Sequence, residues 1–477
     1  MLHESIQAIV PAHFPGNNSR RPHILMNTTT WWPSVAILAR SLERAGFEVT
    51  VLCPEGHTVW SASKSRCIKL DTSNPIRALA NAIAAVNPYL VVPTDDRAVA
   101  HLHRLHGTAP ARTRRILERS FGPSSSFKTM TSRVPLLAAA QEVGMATPKN
   151  QEIRSIAELD RWIGAIPGPW VIKVDGAWGG EGVRIAQTPE AARAAFRSLA
   201  RGIPFFFAAR RKMINRDPFW LADRKAGGRP IVSIHSYIRG RPGNCVIFCR
   251  NGEILGSTTV DVERSCHATG PSTLVRVVER PDFLDGARRL VHKLGMSGFC
   301  GLDFMVDDDT GEAILIEMNP RITSPCSIRT GSDPITNAAQ AFGCHAPQSP
   351  LPLQGRSLFA SFPLAWHAHP HDPRLTSCQD DVPWDDLALV QEALKPIWPE
   401  RGAIARLPAN ARVLFQFLTT GRRSSDARIK PLQWWVANGL LRPPSSTEAP
   451  FRSLSTSADE PAAARSDAGR SVLSHLV

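Results

Sequence analysis

The sequence predicts an α/β fold joined to an α+β fold: an open parallel-sheet domain first, then a larger mixed domain. Residues 23–53 read as strand, helix, strand, and the same period returns over residues 67–96. From Ser132 short apolar strands and amphipathic segments follow in an order that favours antiparallel pairing. With 477 residues, 43% of them apolar and 21% charged, the chain is too long for one ordinary core and calls for two or three domains.

In the first unit HILMN is a strand, VAILARSLERAG a helix closed by Gly46, and EVTVLC a second strand. CIKLD, the helix PIRALANAIAAVN with Pro75 in its first turn, and YLVVPTDD continue the pattern. Ligands of such sheets sit beyond the carboxyl ends of the strands, which puts Asn27 to Trp32 and Thr94 to Asp96 in position for binding. The turn NTTTWWPS has no glycine and so does not suit a pyrophosphate, which argues against NAD. Asp95 and Asp96 are either helix caps or substrate contacts.

The second unit opens with the helix RVPLLAAAQEVG, stopped at Gly144 ahead of Pro148. Strand WVIKVD, a glycine turn, strand VRIAQ and helix PEAARAAFRSLA follow, then strands IVSIHSYI, NCVIFC and EILGSTTV. A helix around DGARRLVHKLG leads into strands FCGLDFMVD and EAILIEMN. Beyond about residue 345 the pattern fades, with helical hints at WDDLALVQEALKPIW and LQWWVANGLL. The expected division is an N-terminal extension at 1–22, an α/β domain at 23–120, the mixed domain at 121–345, a C-terminal region at 346–443 and a disordered tail rich in Ser, Ala and Pro at 444–477.

Composition excludes several classes. No window approaches the roughly 18 apolar residues of a membrane span, and the start lacks a signal-peptide layout, so the expectation is a cytoplasmic protein without membrane association. Nine cysteines lie scattered without zinc-module spacing and read as reduced thiols, with Cys245 and Cys249 on one strand face. A formal charge of +14 suggests nucleic acid, but the basic runs RTRRILER and ARRK lack interleaved aromatics. They read as solvated faces or as attraction for an anionic nucleotide, so nucleic acid is not an expected partner. In HAHPH, His367, His369 and His371 have strand alternation, although Pro370 favours a loop over a metal site.

Two constellations carry chemistry. Lys173 ends a strand just before DGAWGGEGV, where Gly179, Gly180 and Gly182 can expose backbone N–H groups to phosphate while the ammonium supplies charge. In GLDFMVDDDTGEAILIEMNPR, strand alternation puts Glu317 and Asn319 on one face, and antiparallel pairing across DDDTG brings Asp303 beside them. Two carboxylates and an amide suit Mg2+, which completes its octahedron with water and phosphate oxygens. Arg321, two residues on, can reach a phosphoryl group held there.

Together these blocks resemble the ATP-grasp superfamily, in order over residues 125–345. The resemblance implies a pre-ATP-grasp domain followed by a two-subdomain fold that clamps ATP. By position it implies that Lys173 and Arg133 contact the nucleotide phosphates, that Asp303, Glu317 and Asn319 hold Mg2+ (or Mn2+), and that the glycine loop covers the triphosphate. His235, Ser236, Tyr237 and Ile238 would form the adenine hinge, where Ser236 replaces the frequent acidic residue. Arg321 and Lys173 would be the catalytic cations. The implied activity is an ADP-forming, carbon–nitrogen ligase that phosphorylates a small carboxylate and passes the acyl group to an amine. Carbamoyl-phosphate synthase-like chemistry and a non-catalytic ATP-binding sensor are the alternatives, and a homodimer is left open.

Overall fold

The computed structural model describes residues 21–62, 66–176, 182–226, 230–344, 357–401, 432–437 and 440–441. Gly179, Gly180 and the tail expected at 444–477 lie outside these residues.

Strands β1 (His23–Asn27), β2 (Glu48–Cys53), β3 (Arg66–Lys69) and β4 (Leu90–Pro93) form one parallel sheet in the order β3-β2-β1-β4. The crossover helices are α1 (Ser34–Arg44) and α2 (Pro75–Val86), the latter capped by the Asn74 side chain and ended by Asn87 at φ 47°. Helix α3 (Asp96–Thr108) starts at the carboxyl end of β4, where Asp95 accepts from the Ala98 N–H as its cap. Asp95 also accepts from the Thr29 N–H and hydroxyl, both at 2.7 Å, and so ties the NTTT turn to this helix start. Helices α4 (Ala111–Phe121), α5 (Phe127–Thr131) and α6 (Arg133–Glu142) lead to the next sheet.

That sheet is small: β5 (Asn150–Ile153), β6 (Trp170–Val174), β7 (Val183–Ala186) and β8 (Val232–Ser236) pair antiparallel as β5-β8-β6-β7. Helices α7 (Ile156–Ala165) and α8 (Pro189–Ala200) cover it around Leu159, Trp162, Ile172, Phe196 and Ile234. A helical hairpin, α9 (Phe205–Met213) and α10 (Phe219–Ala226), is inserted before β8.

The large sheet joins β9 (Gly240–Arg250), β10 (Glu253–Ser265), β11 (Ser272–Val277), β12 (Gly298–Asp307), β13 (Ala313–Asn319) and β14 (Leu358–Ala360), with β15 (Gln379–Asp380) at its edge. Its order is β13-β12-β9-β10-β11-β14-β15. Helix α11 (Pro281–Leu294) packs on it, and Cys245 and Cys249 are buried on the same side. The pairing of β12 with β13 shifts register after Asp303, so that Asp303 faces Glu317 while Phe304 faces Leu315 and Ile316 is the extra residue of a bulge. One core runs from β1 and β2 into the large sheet and on to Trp366, Leu389 and Val390. The ill-patterned stretch beyond residue 345 is thus, where described, packed onto both sheets. Helical hints at 384–398 and 432–441 correspond to short helices Leu387–Ala393 and Leu432–Ala437. The histidines of HAHPH follow a helical turn, Leu364–Ala368, instead of strand alternation: His367 contacts the Leu394 carbonyl and His369 that of Ser265. Among the described residues no three His, Cys, Asp or Glu side chains group as a metal site.

Candidate active site

A cleft of about 490 Å³ opens between the small sheet and the large one. Its lining includes Arg133, Lys173, His235, Ser236, Tyr237, Ile238, Asp303, Glu317, Asn319 and Arg321, residues from four widely spaced stretches of chain. The antiparallel ladder explains the acidic side. Residues 302, 304 and 306 of β12 enter the core, so Asp303 and Met305 face the cleft, and the bulge turns Glu317 to the same side.

Both oxygens of Asp303 accept from amides, one from Asn244 Nδ2 and the other from Asn319 Nδ2 at 2.9 Å. Burial, reinforced by the charge of Glu317, raises the Asp303 carboxyl to about 6. Arg133 spans the cleft: its Nη2 lies 2.7 Å from Glu317 Oε1, and its Nη1 donates to the Val174 carbonyl at 2.7 Å and to Asp175 at 3.2 Å. Burial opposes the charge on Arg133, but Glu317 and Asp175 outweigh it and its pKa stands above the usual value.

Lys173, buried on β6, is lowered to about 8 by burial and by Arg133, with Glu317 and Asp303 acting the other way. Among the described residues no carboxylate comes within 4.0 Å of its ammonium. Arg321 donates to Asp96 at 3.0 Å and to the Asn319 amide oxygen at 2.9 Å. Of the two acids ending the first unit, Asp95 is therefore a cap, while Asp96 lines the cleft and anchors an arginine.

Pro148, Val171, Ile185, Tyr237 and Met305 give the cleft an apolar end. Beside it the Ser236 N–H donates to the Lys149 carbonyl and the Tyr237 N–H to that of Pro169. The Ile238 N–H makes no backbone hydrogen bond among the described residues. His235 is buried against the Ser233 hydroxyl at 2.9 Å and held neutral, its pKa pushed well down by burial and by Lys173. Of the glycine loop, Gly176 has φ 74° and Gly182 accepts from the Val174 N–H at 3.0 Å.

Asn244 and Asp175 are not among the residues that the sequence singles out as site residues, whereas Asp96 is one of the two acids left open between cap and substrate contact. Asn244 sits opposite Asp303 in β9, and only the pairing of strands far apart in sequence brings it there.

The family described as "Carbamoyl-phosphate synthase L chain, ATP binding domain" matches residues 133–341, the stretch that supplies nearly all of this cleft. The chain has the ATP-grasp fold. The arginine-specific carbamoyl phosphate synthase large chain of Geobacillus stearothermophilus is 24% identical over 190 residues, 39% of this chain and 16% of that protein. The carbamoyl phosphate synthase large chain of Thermoplasma acidophilum is 24% identical over 247 residues, 50% of this chain and 22% of that protein. The chain thus spans only about a fifth of the curated relatives it matches. Among solved structures, the biotin carboxylase domain of Hydrogenobacter thermophilus 2-oxoglutarate carboxylase superposes with a TM-score of 0.51 at 15% identity, covering 70% of this chain and 73% of that one. N5-carboxyaminoimidazole synthetase from Staphylococcus aureus, bound to ADP, gives 0.51 at 13% identity over 72% and 82%. In ATP-grasp terms the parallel sheet is the preceding domain, the small sheet is one subdomain of the clamp and the large sheet is the other.

Proposed function

We propose that this chain is an ATP-dependent, ADP-forming ligase that activates a small carboxylate as an acyl phosphate and transfers the acyl group to an amine. The observation that carries this reading is the opposition of Lys173 on one wall to Asp303, Glu317 and Asn319 on the other, with Arg133 reaching between them, in a cleft with an apolar end.

Adenine would lie at the apolar end, with the Ile238 N–H as donor to its edge. The donor set fits magnesium. A carboxylate accepts at about four lone-pair sites, so Asp303 keeps capacity beyond its two amide donors. Its raised pKa reflects burial first and the charge of Glu317 second, and a bound cation would offset both. Asp303, Glu317 and Asn319 would hold the ion. Bound there, magnesium supplies positive charge to the transferring phosphates.

Lys173 and Arg133 would orient the phosphates, while Arg321, held in place by Asp96, would face the transferring phosphoryl group. A substrate carboxylate oxygen attacks the γ-phosphorus as the bond to the β–γ bridging oxygen breaks, and ADP leaves. The amine nitrogen then attacks the acyl carbon, loses its proton and expels inorganic phosphate. Such steps need positioning and charge rather than a side-chain nucleophile.

The hinge favours one further reading, an ATP sensor without turnover, because His235 and Ser236 offer no carboxylate to a ribose. A screen of amino acids and small carboxylates for stimulated ADP release separates the two, with Asp303→Asn as the blank. Stimulation that the variant lacks supports the ligase. ATP binding with no ADP release across the screen points to the sensor.

A further inference from the structure

The helical hairpin α9–α10 is rooted through α10 and the turn between its helices, and bare along the outer face of α9. At the root Phe219 is fully buried, edge-on to Trp31 at 6.2 Å, with the Arg97 guanidinium 4.9 Å above its ring. Asp223 pairs with Arg97 at 2.8 Å, and Asn215 Nδ2 donates to the Pro399 carbonyl at 2.8 Å. The outer face of α9 stands in water: Phe206 is 85% exposed and Met213, seven positions on and on the same side of the helix, 81%, while Phe205, beside Arg224, Phe207, edge-on to Trp220, and Ile214 are exposed as well. Isolated apolar side chains on a surface need no explanation, but a contiguous group on an anchored element marks a contact.

The charges around this group have one sign. Arg201, Arg210, Lys212, Arg216 and Arg224 are exposed. The acids of the hairpin are turned inward, Asp217 onto Arg211 at 3.3 Å and Asp223 onto Arg97. Among the described residues none of the exposed cations has a carboxylate within 4.0 Å.

We propose that this face of α9 docks on the surface of an anionic lipid bilayer. The phenylalanines and Met213 enter the boundary between headgroups and acyl chains, and the arginines and Lys212 meet the lipid phosphates. No described helix is long and apolar enough to cross a membrane, so the contact is peripheral. A second copy of the chain fits less well, because like cations would face one another across the contact. A single nucleic-acid strand would stack on the rings but leave the aliphatic surface of Met213 and Ile214 unmatched. A bilayer supplies both the anionic layer and the apolar one. The contact was not legible in ARRK, since the aromatic side chains precede it and only the helix brings the two groups together.

Flotation of the full chain with vesicles tests this, using phosphatidylcholine alone and with phosphatidylglycerol added. The expected result is binding to the anionic vesicles only. Phe206→Ser with Met213→Ser, at positions already in solvent, weakens it by about tenfold. Arg210→Gln, Lys212→Gln and Arg216→Gln together weaken it by about a hundredfold. Unchanged urea midpoints establish that these variants fold. No flotation with anionic vesicles, equal binding to neutral ones, or indifference to both sets of variants overturns the proposal. So does a lipid-free dimer in gel filtration that Phe206→Ser dissociates, which would assign the surface to a second copy.

Discussion

Replacing Glu317 by glutamine keeps the side chain's volume and removes one charge from the cleft. Arg133 then loses its 2.7 Å partner but keeps Asp175 at 3.2 Å and the Val174 carbonyl at 2.7 Å. Removing one member of a buried pair costs about 3–5 kcal/mol. Glu317 is 30% exposed and Arg133 retains other partners, so the loss of stability should be nearer about 1–3 kcal/mol. The effect on magnesium should be larger, because one of two carboxylates in the donor set is gone. Calorimetric titration with ATP, in excess magnesium and in chelator, separates the ion from the cations: both titrations see Lys173 and Arg133, and only their difference sees the metal. That difference should shrink by at least about tenfold. Asp175→Asn is the control, since it strips the same arginine of a partner but lies outside the donor set; it should lower stability and leave magnesium dependence intact. If both variants lose that dependence alike, or neither does, the metal assignment fails.

The cleft also sets a pH window. Lys173, with a pKa of about 8, is charged below that value, so ATP affinity should fall as pH rises through it, and Lys173→Met should abolish this limb alone. Asp303, at about 6, is ionised above that value, so magnesium-dependent affinity should fall as pH drops through it. A flat profile from about pH 5 to 9, the span over which the two groups titrate, would contradict both placements. Phe219→Ala should cost about 3–5 kcal/mol in urea unfolding, because the ring is fully buried against Trp31 and Arg97; a loss under about 1 kcal/mol would mean the hairpin root is not load-sharing.

Local patterns carried most of the fold. Alternation in β12 and β13 and the tight turn between them brought Asp303 near Glu317, although the bulge at Ile316, which alternation does not report, is what sets the two opposite each other; the strand–helix period of residues 23–96 was enough for a parallel sheet. What sequence concealed depends on contacts between distant residues. Asn244 reaches Asp303 across 59 positions and Arg321 reaches Asp96 across 225, and no periodicity reports such distances. Arg133 was expected at the phosphates by position alone. Its fork instead bridges Glu317 and Asp175, linking the two walls before any nucleotide arrives.

The irregularity at Ile316 makes the centre of the cleft depend on counting. On the turn side of it the paired residues are Phe304 with Leu315 and Met305 with Ile314; on the other side they are Asp303 with Glu317 and Leu302 with Met318. Were the ladder continuous, Glu317 would stand opposite Leu302, on the side that enters the core, and an ionised carboxylate would point into hydrocarbon. Loss of that single position would therefore invert the strand's last three residues together, exchanging Met318 for its two polar neighbours. Changes of length between Asp307 and Glu317 are tolerable only in the loop, where they leave this parity alone.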